Sequence, residues 1–201
     1  KYRNYSKSFW DKRTMSPSAL IFYLGINKKI NIPHHCLFFD TNFNNHVKEI
    51  YDDPKWPDNP LFYVSCTSKT DPDVAPLGNE ALFILIPVAP DLENESVSRD
   101  SYLEQVLDRI ELATGESIKG NIVTSRSYAH KEFISDFNSY KGNAYGLANT
   151  LFQTAFLKPK IKNNKLTNLY YTGQLTVPGP GMPPALVSGR IVAKQIMEDN
   201  S

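Results

Sequence analysis

The residues of this chain best placed to do chemistry offer backbone rather than side chains. Residues 168–197 read NLYYTGQLTVPGPGMPPALVSGRIVAKQIM. Residues 169–172 are a short β-branched and aromatic run ending on Gly173, the pattern of a buried strand that stops where backbone must approach something closely. The VPGPG turn that follows cannot continue regular structure. Pro183 and Pro184 then occupy the first turn of a helix, where a missing amide hydrogen costs nothing and φ is already helical. That helix is predicted to reach about Met197 with Leu186, Gly189, Ala193 and Ile196 on one face, the two small residues letting it lie tight against the strand. Free amides and the positive dipole end at residues 182–185 favour negative charge over the turn, which is the chemistry of a nucleotide site. A strand and helix that merely reverse direction would read the same way, and the residues alone leave both readings open.

Elsewhere no nucleophile converges with a base, and no spaced carboxylate pair stands out. Cys36 and Cys66 are far apart and lack the spacing of a zinc site, so they read as a reduced pair. His34 and His35 are adjacent, which in a strand sends them to opposite faces, and no metal is expected. The net charge of +1, from 22 basic and 21 acidic residues, gives no field to attract nucleic acid. The longest apolar run, residues 81–89, falls short of the ~20 residues that cross a bilayer. Lys158, Lys160, Lys162 and Lys165 form a basic loop, read as a solvated connection or, more sharply, as a contact with anionic lipid. The chain opens on Lys1-Tyr2-Arg3 without a signal core, and no glycine-rich dinucleotide fingerprint follows any strand.

With 201 residues, 41% of them hydrophobic, the chain can bury a full core as one domain or two small ones. The elements that must hold the turn in place are legible in order. A short helix or turn falls at residues 8–13. Residues 18–26 form a strand apolar on both faces, and residues 35–39 form the next. Thr41 is the expected cap of a helix to about Tyr51 with Phe43, Val47, Ile50 and Tyr51 on its apolar stripe. Strands follow at residues 61–66 and 81–88, the latter nearly all apolar and therefore central. Residues 98–113 are the strongest helix, opened by a serine cap and closed by Gly115. A strand over residues 118–127 and a short helix over residues 131–137 complete this region, and residues 138–146 are loose and aromatic.

Two groups of residues carry a resemblance. Tyr171-x-Gly173, the Pro178-Gly179-x-Gly181 turn, Ser188-Gly189 and Ala193-x-x-Ile196 together resemble the C-terminal flavin-contacting segment of the phytoene desaturase family. So does the run Thr67-Ser68-Lys69-Thr70-Asp71-Pro72, continuing through Ala75-Pro76 and Gly78 into Leu85-Ile86-Pro87-Val88. Physically, Asp71-Pro72 and Pro76-x-Gly78 are expected to build turns. The likeness runs from Ser16 onward.

The resemblance implies an FAD-dependent carotenoid desaturase of amine-oxidase-like α/β fold. Residues 1–155 would belong to a substrate-binding domain with a mixed α+β sheet, and residues 156–201 would give the C-terminal strand and helix of a Rossmann-like FAD-binding domain. It further implies flavin contacts at Gly173, Gln174, Gly181, Met182 and Pro183, and a reaction chamber lined by Tyr145, Gly146 and Gln153. Gln174 stands where many relatives of the wider flavin fold have an acidic residue. Removing a hydride and a proton from an unactivated hydrocarbon needs a hydride acceptor that no side chain provides, so FAD is the implied cofactor and no catalytic acid or base is named. The implied partners are a polyene hydrocarbon, a membrane surface and the N-terminal part of the same enzyme, which would hold the ADP half of FAD; neither metal nor nucleic acid is among them. The location would be cytoplasmic, peripheral to the inner face of the membrane. An enzyme of another carotenoid, hydroxylated or cyclised, an isomerase, or a flavin-free lipid-binding fragment remain alternatives.

Overall fold

The computed structural model describes residues 2–92 and 98–201. The chain mixes helices with one antiparallel sheet, the mixed α and β architecture expected, and divides into two compact units, Pro17–Asn143 and Lys1–Ser16 with Ala144–Ser201.

In the first unit, strands β1 (Ser18–Ile26), β2 (His35–Phe38), β3 (Phe62–Cys66), β4 (Glu80–Val88) and β5 (Ile122–Tyr128) form a five-stranded sheet in the order β2-β3-β4-β1-β5. β4 is central, as its apolar sequence predicts, and pairs with β1 along its whole length, Ser18 opposite Val88 and Ile26 opposite Glu80. Strand alternation separates the two faces. Leu20, Phe22, Val64, Ile84 and Ile86 share one of them and form the core with Val106, Leu107 and Ile110 of helix α3 (Arg99–Thr114), all nearly inaccessible to solvent. Each such side chain contributes roughly 1.5–3 kcal/mol by leaving water. Ser98 caps α3 by accepting from the Ser101 amide at 3.3 Å, and Gly115 ends it in the left-handed conformation at φ 71°. Arg109 of α3 grips Asp40 with two donors and donates to the Pro60 carbonyl at 2.6 Å, tying the helix to the loops beside it.

Three sequence expectations shift here. Helix α2 (Phe43–Tyr51) is capped by Asn42, whose Oδ1 accepts from the Asn45 amide at 3.1 Å; the Thr41 hydroxyl instead donates to the Asn59 carbonyl. Its buried side chains are His46 and Ile50, with Phe43 and Tyr51 exposed, because the His46 ring accepts from the Leu61 amide at 3.0 Å and its Nε2 pairs with the Pro87 carbonyl at 2.8 Å. β5 begins at Ile122 rather than 118, since the Glu111 carboxylate accepts the Ile118 and Lys119 amides and holds the chain in a short 3₁₀ turn first. Helix α4 (His130–Phe137) follows directly.

The second unit carries the short helix α1 (Lys7–Asp11) and the long helix α5 (Met182–Asp199). Residues 169–172 do not form a strand. Among the described residues their sole ladder pairing is a bridge between Tyr170 and Lys162, too little to propagate a sheet. α5 also presents a different face from the one its apolar spacing predicts: Ser188 and Val192 are buried, whereas Leu186 is 78% exposed. Ser188 decides this, because its hydroxyl is fully engaged with the preceding backbone.

Candidate functional site

In the second unit, Ser188 Oγ accepts the Gly173 amide at 2.7 Å, donates to the Ala185 carbonyl at 2.7 Å and shares a hydrogen bond with Thr172 Oγ1. The Gly173 carbonyl accepts from both the amide and the hydroxyl of Thr176. Gly173 is thus pinned through both backbone groups at φ 100°, and a β-carbon there would meet nothing within 4 Å. Its conformation favours glycine, and its open side leaves room for a flat group. Gln174 is half-buried and packs against Gly146, where an added β-carbon would come 3.0 Å from the Gln174 carbonyl. The turn ends on Gly181 at φ 111°, the N-cap of α5, with no side chain capping it; Met182 and Pro183 are exposed.

Of the chamber candidates, Gly146 therefore lies beside Gln174, and Tyr145 is partly exposed. The Gln153 amide is committed to backbone: Oε1 accepts from the Thr14 amide at 3.0 Å, and Nε2 donates to the Thr14 and Ala148 carbonyls.

The basic loop does not behave as one solvated stretch. Lys158 is only 5% exposed, and its Nζ lies 3.2 Å from the position a β-carbon on Gly179 would take. Burial pushes this amine below the usual lysine pKa. Lys162 is paired with Asp199 at 2.6 Å, while Lys160 and Lys165 remain exposed. The alternation of lysines at 158, 160 and 162 gives no sign that Lys158 is buried while Lys160 is exposed.

The first unit offers a separate surface. On the sheet face away from α3, the rings of Tyr23 and Phe83 lie 5.4 Å apart and those of Tyr63 and Phe83 lie 6.2 Å apart. They floor a cleft of about 740 Å³ that the loop residues Val74, Ala75 and Pro76 overhang, with Arg126 also lining it. That size suits a small-molecule ligand. Gly25 lets the floor stay flat, since a β-carbon there would come 2.6 Å from Thr124 Cγ2. The aromatic trio escaped the sequence reading, although aromatic residues at odd positions of three neighbouring strands were the available signal.

The run of residues 67–78 frames this cleft through turns, as its prolines predict. Asp71 accepts from the Asp73 amide at 3.0 Å, and Gly78 sits at φ 83°. It also does what the sequence did not announce. Ser68 and Lys69 close on the buried Glu80 carboxylate, Lys69 Nζ at 2.6 Å. Burial alone would raise the Glu80 pKa, but the Lys69 and Ser68 hydrogen bonds and the Lys69 charge outweigh it and bring it down to about 2. Among the described residues no three His, Cys, Asp or Glu side chains gather as metal ligands, and no helix is long and apolar enough to cross a membrane.

The first unit thus carries an aromatic trough on its antiparallel sheet, and the second carries a glycine turn feeding a helix N-terminus. By sequence, the chain is homologous to the C-terminal part of the carotenoid and phytoene desaturases. It is 39% identical over 198 residues, 98% of its own length, to a carotenoid 3,4-desaturase of Haloarcula japonica. It is 30% identical over 93% of its length to a 4,4'-diapolycopen-4-al dehydrogenase of Metabacillus indicus, and 30% identical over 98% to a 4,4'-diapophytoene desaturase of a Methylomonas species. The chain spans 40%, 38% and 39% of these relatives respectively, so it corresponds to well under half of each. No family model matches it.

Proposed function

We propose that this chain is the C-terminal part of an FAD-dependent carotenoid desaturase, which introduces double bonds into phytoene or a related polyene. The observation that carries the reading is likeness to named carotenoid desaturases along 98% of the chain. The two surfaces agree with it. A polyene is flat and apolar, and the Tyr23, Tyr63 and Phe83 floor offers it aromatic area. FAD, when bound, supplies the hydride acceptor that no side chain of this chain can provide.

In this reading the substrate-binding portion runs to about residue 155, and residues 156–201 contact the flavin. Gly173 and Gln174 lie against the ring, and Gly181, Met182 and Pro183 direct the dipole end of α5 at it. Pro183 and Pro184 have no amide hydrogen and the Ala185 amide already donates to the Gly181 carbonyl at 2.9 Å, so the donors there come from Gly181 and Met182. Tyr145 and Gly146 line the chamber, with Gln153 bracing the backbone behind them. The N-terminal part of the enzyme holds the rest of FAD. Attachment to the membrane is peripheral, supported by the exposed Leu151, Phe152 and Phe156 beside the exposed Lys160.

A second reading, action on an oxygenated carotenoid, is favoured by Arg126 at the cleft and by the relative named for an aldehyde. The full-length enzyme supplied with phytoene, and separately with a hydroxylated carotenoid, decides between them by chromatography of the products. Desaturated phytoene supports the first reading; no change in either substrate overturns both.

A further inference from the structure

We propose that Lys158 is the positioning cation of the flavin site, set under the Pro178–Gly181 turn to compensate the negative charge that hydride uptake adds to the cofactor. The inference deepens the FAD reading above and rests on it.

Two independent observations meet here. One is the N-terminus of α5, an 18-residue helix that begins on Gly181 with no side chain as its cap. Such an end favours an anion over it. The other is an amine with no reason to be where it is. Lys158 is buried, and among the described residues its Nζ has no hydrogen-bond partner. Its Cε and Nζ lie 3.1 and 3.2 Å from where a Gly179 β-carbon would be, with Asn149 Oδ1 3.7 Å from that same point. Gly179 is itself buried at φ 136°, two residues before the helix cap. The absent β-carbon is what allows the amine to come under the turn.

Burying an ammonium group without a partner costs several kcal/mol in effective terms. A lysine serving only as a packing stem would carry its amine out to water, as long side chains ordinarily do. A counter-charge delivered by a ligand resolves the cost. Lys158 forms and breaks no bond in this role, and no proton leaves it; it supplies one positive charge against the one negative charge gained by the ring.

The test is the midpoint potential of FAD in the full-length enzyme, measured spectroelectrochemically for wild type, Lys158→Met and Lys158→Arg. Lys158→Met is expected to weaken binding of reduced relative to oxidised FAD by about tenfold or more, which lowers a two-electron potential by about 30 mV. Lys158→Arg, which keeps the charge, is expected to restore most of it. The melting temperature of the Lys158→Met apoprotein should stay level or rise, because an unpartnered buried charge has been removed. A Lys158→Met enzyme with full FAD occupancy and the wild-type potential overturns the proposal and leaves the FAD reading standing. A wild-type enzyme that holds no FAD overturns both. Should Lys158→Met fail to fold, the wild type decides: a potential above that of free FAD supports the cation, and one at or below it overturns the proposal.

Discussion

Lys69 Nζ lies 2.6 Å from Glu80 Oε1, and the carboxylate it holds is wholly buried at the first residue of the central strand. Ser68 closes on the other carboxylate oxygen, and Lys29 reaches that oxygen at 3.4 Å. The loop after β3 is therefore fastened to the start of β4, and the roof of the aromatic cleft depends on that fastening.

Glu80→Gln is expected to lower stability by about 3 kcal/mol, since it leaves Lys69 facing a neutral partner in a low-dielectric setting. The sign of the pH effect follows from the depressed pKa. The folded Glu80 titrates at about 2 against an ordinary 4.5, so its stabilisation is complete above 4.5 and is lost as pH falls from there towards 2. Thermal melts between pH 6 and pH 2.5 check this. The wild type should lose stability through that window more steeply than Glu80→Gln, and equal slopes would show that another carboxylate governs the acid limb.

Ser188→Ala removes the acceptor of the Gly173 amide and the partner of Thr172 Oγ1 together. A cost of about 1–3 kcal/mol is expected, the range for leaving such groups unsatisfied. Chemical denaturation measures it. If the flavin lies against Gly173 as proposed, FAD occupancy of the full-length enzyme should fall further than the stability loss alone accounts for; a parallel decline in both would reduce Ser188 to a packing residue.

The parts of this architecture that could be read from residues are those that their own local residue pattern decides. β1 announces itself as an unbroken apolar run, and its bounds match because β4 and β5 flank it on both sides. α3 has its serine and its glycine at the right places. Residues 169–172 carry a strand's composition, yet composition cannot supply a neighbour, and only Lys162 pairs there. On α5 the apolar spacing was read as the buried face, but one serine with three hydrogen-bonding neighbours outweighs Leu186 in setting the helix's rotation. Thr41 and Asn42 are both good caps, and only the bond from Thr41 to Asn59, across the loop, settles which one serves. Lys158 was hidden for a related reason: a lysine in a run of spaced lysines reads as solvated, and the space its amine occupies is left by a glycine 21 residues further on.

If the enzyme attaches to a membrane as proposed, attachment should depend on the exposed apolar side chains that precede and enter the basic loop in sequence. Phe156 is 90% exposed and Phe152 is 75% exposed. Replacing both by serine in the full-length enzyme is expected to reduce co-sedimentation with vesicles containing anionic lipid severalfold. Lys160→Ala should reduce it more weakly and only at low salt, each lysine near such a surface contributing about 1 kcal/mol. Unaltered sedimentation of the double phenylalanine variant would move the contact elsewhere on the molecule.

Placing the flavin at Gly173 can be separated from the strain that any residue other than glycine would feel there. Gly173 and Gly78 both have positive φ, 100° and 83°, and at both an added β-carbon would meet nothing within 4 Å. Alanine should therefore destabilise each by a similar amount, about 1 kcal/mol, through backbone conformation alone. Gly78 sits in the loop between β3 and β4 and serves as the strain control. If a flat ring occupies the open side of Gly173, its alanine variant should lose most of its bound FAD in the full-length enzyme, whereas Gly78→Ala keeps a normal complement at nearly the same melting temperature. Absorbance of the purified enzymes near the flavin bands reads the difference directly. Equal FAD content in the two variants would mean that nothing approaches Gly173 closely, and the cofactor contact would have to be sought away from the strand-like run that ends there.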